Sequence, residues 1–347
     1  MDNLFPYTTP EQQILKLKSQ QLNFENEEVA KANLKVYGYY NIINGYRDPY
    51  IIREDGHKRY SPGVTFEQIF ALFSFDHTIR GGVLLAMIDL EEHLRASVAD
   101  IIAEDFGTDH NVYLAANNYR DRFVSNPRFR RNSILSDMRH TAETSYTQPV
   151  RYYREVHCVV PPWILLKGVY FATLVNFIRF FKAPQREKLI RALYGSQISD
   201  ENMEQFKNIL SDTLALCLEY RNLAAHGGRI YNYVPNSNMR FFENSPIEKG
   251  LPQLLHALRI FAYRSPFERL DSVVVRALNS YCPAYPNDLE RLERATGFHI
   301  THDKKVFVNE KTKKFHSNRF CSGSKNNICI SLDEAKSRGY VPCKKCF

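Results

Sequence analysis

The sequence is short of several things. It has one Trp, no internal repeat and no low-complexity tract. The opening residues, MDNLFPYTTPEQQ, lack a basic segment followed by an apolar run, so no secretion signal is expected. Long apolar runs are missing too. The longest apolar stretch, Val159 to Phe181, is interrupted by Pro161, Pro162, Lys167, Asn176 and Arg179. It predicts a buried helix rather than a membrane span, and no membrane partner is expected. Cysteine is scarce over most of the chain: of seven residues, four (Cys321, Cys329, Cys343 and Cys346) fall near the C-terminal end. An odd, clustered set argues against a disulfide framework and predicts a reduced, cytoplasmic protein with a local metal site.

What is present fits a folded chain with an anionic partner. Hydrophobic residues make up 44% of the 347 positions, and 21 Tyr and 23 Phe predict a core built on rings. The formal net charge is +8. A positive balance favours nucleic acid or another anion without choosing among them. The excess is uneven. Residues 301–347 hold nine Lys and two Arg against two Asp and two Glu.

Periodicity predicts an all-α helical bundle over residues 1–285, a linker helix within 286–298 and a small α+β module over 299–347. Thr9-Pro10-Glu11 reads as an N-cap with Pro at the first helical position, opening a helix to about Leu22. Helices over 26–37 and 39–46 follow, then an ordered loop over 47–63. Thr65-Phe66-Glu67-Gln68 matches a capping box. The helix it opens runs to about Ala103, with a break expected at Gly81-Gly82, because paired glycines cost a helix interior about 2 kcal/mol. Further helices are expected over 127–141, 163–181 and 184–194. Ser199 is expected to cap another, which ends near Gly227-Gly228. Two more lie at about 251–264 and 266–280, and a short one over 287–296. The tail is expected to hold a strand near 304–309 and a helix near 331–338.

One segment carries candidate chemistry, Arg221-Asn222-Leu223-Ala224-Ala225-His226. An Arg and a His five apart are weak evidence alone, since chance placement gives about one such pair in a chain of this composition. Arg294/His299 is read as that chance pair. Arg221 has context, because it continues the apolar stripe of Leu214 and Leu218. A guanidinium there is partly desolvated and needs a carboxylate or an anionic ligand. A buried Arg–carboxylate pair beside a core His explains the same residues. Asn222 and His226 are four apart and share a face. Ala224 and Ala225 leave room, Gly227-Gly228 ends the helix, and Arg229 and Tyr231 follow. Such a cluster suits RNA cleavage by the substrate's own 2′-hydroxyl. His226 would serve in proton transfer and Arg221 would hold the phosphate, with Asn222 positioning one or the other. No carboxylate cluster suited to Mg²⁺ lies in this region, so the expected chemistry needs no metal.

RNLAAHGGRIYN resembles the R-polar-x-x-x-H segment of the HEPN ribonuclease superfamily. LKVYGYYNIINGYRDPY (34–50), FDHTIRGGVLLAMIDLEEHLRASVADII (75–102) and VPPWILLKGVYFATL (160–174) resemble, in the same order, its abortive-infection branch (AbiD/AbiF-like). The resemblance implies a HEPN-like bundle and a homodimer that brings two Arg–His pairs into one cleft. It also implies anti-phage or toxin-type RNA cleavage, in some members restrained by a small RNA encoded alongside. Glu91 and Arg95 match the family's E-x-x-x-R. Glu91 is expected either to orient Arg221 or simply to pair with Arg95, and Asp76 and Arg80, also four apart, read as an ion pair. Tyr37, Tyr39, Tyr40 and Tyr46 are expected to serve core packing more than base stacking.

His316, Cys321, Cys343 and Cys346 form H-x-x-x-x-C…C-x-x-C, a spacing suited to one tetrahedral zinc that would staple a small tail. ISLDEAKSRGYVPCKKC (330–346) resembles an Ada-like metal-binding module, whose His-to-Cys spacing is one residue shorter, leaving Cys329 as the substitute for His316. Structural zinc with a basic nucleic-acid-facing surface is the expected role. The alternative to an enzyme is a non-catalytic RNA- or partner-binding protein with the zinc module as a nucleic-acid sensor.

Overall fold

In a computed structural model, residues 7–54, 57–237, 247–298, 305–316 and 328–343 are described. They divide into two units, Met1–Phe298 and His299–Phe347. In the first, helix α1 (Pro10–Ser19) opens on a capping box between Thr9 and Gln12. Asn26 caps α2 (Glu27–Tyr37) by accepting from the Glu28 and Val29 amides, each at 3.1 Å. A π-helical stretch, Tyr40–Asn44, follows. The loop expected over 47–63 is instead largely an antiparallel hairpin, β1 (Ile51–Glu54) with β2 (His57–Tyr60).

Helix α3 (Phe66–Phe106) is the spine of this unit, and Thr65 caps it by accepting from Gln68. Its face of Ile79, Val83, Met87, Leu90, Leu94 and Val98 is buried, as the periodicity predicts. The expected break at Gly81-Gly82 is absent: α3 runs through both glycines for 41 residues. A Cβ on Gly82 would lie 2.8 Å from Cγ1 of Val273, so this glycine permits a close helix contact. The pairing of α3 with the later helix that carries Val273 offsets the propensity cost. By length and composition α3 is apolar enough to cross a membrane, and half of its most apolar stretch is buried inside the unit.

Short helices α4 (His110–Tyr113), α5 (Arg131–Thr144) and α6 (Val150–His157) lead into the apolar stretch expected as one helix over 163–181. That stretch is divided. A turn of helix, α7 (Pro162–Leu165), and a 3-10 turn end at an extended Val169-Tyr170 before α8 (Phe171–Ile178). The break frees the Val169 carbonyl, which accepts from Nη2 of Arg95 at 2.9 Å. Rings fill the core here, with Tyr119 and Phe177 at 4.9 Å between centroids.

Helix α9 (Ala183–Tyr194) precedes α10 (Met203–Ala225). Ser199 does not cap α10. Asn202 stands at the cap position, its side chain accepting from the Ser199 amide at 2.9 Å, and Asp200 pairs with Arg191 at 2.6 Å. The unit closes with α11 (Leu251–Arg259), α12 (Ser265–Tyr281), which carries Val273, and α13 (Leu289–Thr296). Residues 286–298 fall inside this unit, where Leu292 and Thr296 are buried and Asp288 accepts from Tyr50 at 2.7 Å and Tyr281 at 2.5 Å.

The second unit has more sheet than its sequence suggests. Strands β3 (Lys305–Asn309), β4 (Lys314–His316), β5 (Ile328–Ser331) and β6 (Val341–Pro342) form a sheet in the order β5-β3-β4-β6, with α14 (Leu332–Ser337) between β5 and β6 in the chain. β4 and β6 run parallel, the other pairs antiparallel. Val306, Val308, Phe315, Ala335 and Tyr340 make a small core.

Candidate functional site

Helix α10 ends on His226, whose amide bonds the Asn222 carbonyl at 3.0 Å. Gly227 turns the chain at φ +74°, and the Gly228 amide reaches back to the Leu223 carbonyl at 2.8 Å, a Schellman-type stop. Helix α3 fixes this turn at two points. Arg80 Nη1 donates to the Gly227 carbonyl at 2.8 Å. Asp76, fully buried, accepts from the amides of Ile230 (2.9 Å) and Tyr231 (2.7 Å) and from the Tyr46 hydroxyl (2.6 Å). Burial pushes the Asp76 carboxyl up, against the pull of those three donors and of Arg80. The two residues read from sequence as a plain ion pair thus each hold a part of the turn that carries His226. Arg229 donates to the Gly45 carbonyl, and buried Tyr231 stacks on Tyr46 at 6.2 Å.

The turn forms one wall of a pocket of about 520 Å³. His226 and Arg229 line it from the turn, His77 and Arg80 from α3, and Tyr37, Tyr40, Asn41, Asn44 and Tyr46 from α2 and the π-helical stretch. Two imidazoles, two guanidiniums and three phenol rings therefore meet in one space. Tyr40, 75% exposed, offers a ring to solvent, whereas Tyr46 is buried against Asp76. His77, Asn41 and Asn44 escape the sequence reading. The available signal was the three-residue spacing of His77 and Arg80, which puts them on one face of α3.

Arg221 is elsewhere. Five residues of α-helix separate it from His226 by about 140° around the axis, and it does not line this pocket. It is half-buried, and its Nε makes no hydrogen bond among the described residues. Its charge acts on Glu91, buried on α3, whose carboxyl burial pushes up while Arg95 and Arg221 draw it down. Arg95 Nη2 donates to Glu91 at 2.5 Å. Glu91 thus pairs with Arg95 and also lies in the field of Arg221. Asn222 is exposed on the ridge that leads to His226.

Of the expected zinc ligands, Cys321 and Cys346 lie outside the described residues, as does the side chain of Cys329. His316 and Cys343 are described and buried. They are neighbours across the β4–β6 pair, where the Cys343 amide bonds the Phe315 carbonyl at 3.0 Å. A thiol and an imidazole on adjacent strands suit a tetrahedral ion. Among the described residues no group of three or more His, Cys, Asp or Glu side chains converges as a metal site.

Fold and pocket define a mostly helical protein with a cationic, ring-walled cleft at a helix end. The chain belongs to the Abi-like protein family, whose model matches residues 32–232, a span that contains every residue lining the cleft. Membership assigns it to abortive infection, a defence role. No curated protein and no solved structure matches the chain.

Proposed function

We propose that this Abi-like protein is a HEPN-type endoribonuclease that cleaves RNA through the 2′-hydroxyl, without a catalytic metal, at a composite Arg/His site completed by a second copy. The observation that carries this reading is the placement of His226. It stands at the lip of a pocket with Arg80, Arg229 and exposed rings, held by a turn that two α3 side chains lock in place. His226 takes the proton from the 2′-hydroxyl or returns one to the 5′-oxygen as the P–O5′ bond breaks. Guanidiniums offset the charge that grows on the phosphate. Because Arg221 and His226 of one chain point apart, the second copy supplies the missing partner. The products carry a 2′,3′-cyclic phosphate and a 5′-hydroxyl. Cleavage by wild type in EDTA, lost in Arg221→Ala and in His226→Ala, is the expected result; activity that survives both substitutions sinks the assignment.

The divergence of Arg221 and His226 also favours a second reading, in which the bundle binds RNA or a protein partner without cutting. Binding that persists in His226→Ala, with no cleavage by wild type, selects it. For the tail we propose a structural zinc on His316, Cys321, Cys343 and Cys346, supported by the adjacency of the two described ligands. Metal analysis of the purified protein should give about one zinc per chain for a single tetrahedral set; no zinc, or zinc retained in Cys343→Ser/Cys346→Ser, counts against it. A cytoplasmic location and restraint by a small RNA belong to the same proposal.

A further inference from the structure

A second pocket, of about 480 Å³, lies along the middle of α10. Four arginines line it: Arg120 and Arg122 from the segment after α4, Arg179 at the end of α8, and Arg186 of α9. None of the four is ion-paired to a carboxylate among the described residues. The acids nearest Arg186 are engaged with Lys207, which lies 2.8 Å from Glu187 and 2.6 Å from Glu204. Asp212 is the carboxylate among the lining residues. Two of the guanidiniums are held in place. Arg120 donates through Nε and Nη2 to the Arg179 carbonyl at 3.0 and 2.9 Å. Arg179 donates to buried Asn176 at 2.9 Å, and Asn176 is itself tied to the Ala172 carbonyl at 2.8 Å. Burial and the neighbouring arginines lower the proton affinity of Arg120 and Arg179, as expected for like charges gathered together.

The floor of this pocket is apolar, with Val175, Ile178, Leu214 and Leu218. Its edge continues toward the first pocket. Ser211, Ala215, Leu218, Asn222 and His226 follow one another at threes and fours, the spacing of a single helix ridge. All but half-buried Leu218 are exposed. From Leu218 to His226 the ridge covers about 12 Å.

We propose that the arginine pocket binds a nucleotide of the RNA strand away from the scissile bond, its base on the apolar floor and its phosphate on the arginines, so that the strand runs along the α10 ridge to His226. The inference rests on the reading of the protein as one that acts on RNA, but not on cleavage itself. Four guanidiniums around an apolar floor suit a ligand that is both planar and multiply anionic, and one strand occupying both pockets gives RNA binding two anchors.

The test is binding of a short fluorescent 2′-O-methyl oligoribonucleotide, which cannot be cut through its 2′-oxygen, across a salt series. Wild type, Arg122→Ala/Arg186→Ala and His226→Ala are compared, with thermal melting as the check on folding. Arg122→Ala alone, at an exposed side chain, serves if the double variant melts early. The double variant should bind at least about tenfold more weakly. Its slope of log affinity against log salt should fall by about 1.4, for two lost phosphate contacts on a single strand. His226→Ala should keep that arginine-dependent part. Affinity and slope equal to wild type in the arginine variants overturn the proposal, as does a change of oligomeric state with binding intact. A mononucleotide that depends on the arginines when the oligonucleotide does not assigns the pocket to a free nucleotide and overturns the strand path. Absent cleavage with arginine-dependent binding retained rejects the nuclease reading and leaves this one standing.

Discussion

Asp76 shows how much of the cleft depends on one side chain outside its wall. It satisfies two buried amides and one hydroxyl at once, and the turn it holds places both His226 and Arg229. Asp76→Ala strands all three donors and should cost on the order of 4 kcal/mol in denaturant unfolding. Asp76→Asn keeps an oxygen for both amides and offers its NH₂ to the Tyr46 oxygen, so its cost should stay near about 1 kcal/mol. Equal losses in the two variants would show that the hydrogen bonds do not set the stability. The pH dependence has a definite sign. Burial raises the Asp76 carboxyl above its ordinary 3.8, so the folded chain retains a proton that the unfolded chain releases. Stability contributed by that proton is therefore present below the ordinary value and is lost as pH rises through the raised one. Unfolding titrations of wild type and Asp76→Asn should differ by this slope, which the amide removes.

Among the elements, α3 and α10 are the most legible, because long helices repeat their apolar spacing often enough to be read, and the Thr65 cap of α3 and the Gly227-Gly228 stop of α10 stand in the sequence. Elsewhere tertiary contacts override local preference. Gly81-Gly82 resembles a breaker until Val273 is placed against Gly82. The hairpin of β1 and β2 hid inside an expected loop, though Asp55-Gly56 between two short runs is a turn signal in its own right. The stretch over 163–181 looked continuous because nothing local reveals that Arg95 takes the Val169 carbonyl. At the site, Arg221, Asn222 and His226 are legible from spacing and family likeness, whereas the spacing of His77 and Arg80 gives only a shared helix face, since the role of His77 depends on α3 meeting α2 and the α10 turn. The two glycines give the element-scale prediction. A Cβ on Gly81 meets no atom within 4 Å, so Gly81→Ala should stabilise by about 0.5–1 kcal/mol through helix propensity. A Cβ on Gly82 runs into Val273, so Gly82→Ala should destabilise by about 1–3 kcal/mol, with partial recovery in Gly82→Ala/Val273→Ala. Equal and opposite signs are not required, but a stabilising Gly82→Ala would contradict the close α3–α12 contact.

For the whole molecule, the decisive question is whether one chain is enough. Arg221 and His226 leave α10 in directions about 140° apart, one toward Glu91 and the other into the ring-walled pocket. The Nε of Arg221 is buried and makes no hydrogen bond among the described residues, which leaves a polar group to be satisfied. The proposed composite site would account for both facts, because a second copy would bring its own Arg221 and His226 to the same cleft. The prediction is complementation. Arg221→Ala and His226→Ala, each expected to be inactive alone, are mixed, unfolded and refolded together. Mixed dimers carry one intact arginine and one intact histidine on different chains, and cleavage of a labelled RNA should reappear to a measurable fraction of wild type. Wild-type specific activity should also fall on dilution below the dimer dissociation constant, along the same curve as the mass measured by light scattering. If the mixture stays inactive while mixed dimers are present, each catalytic unit needs both residues from one chain. If specific activity is constant across the dilution series while the mass falls to that of the monomer, a single chain suffices, and the angle between the two side chains must close by motion within it.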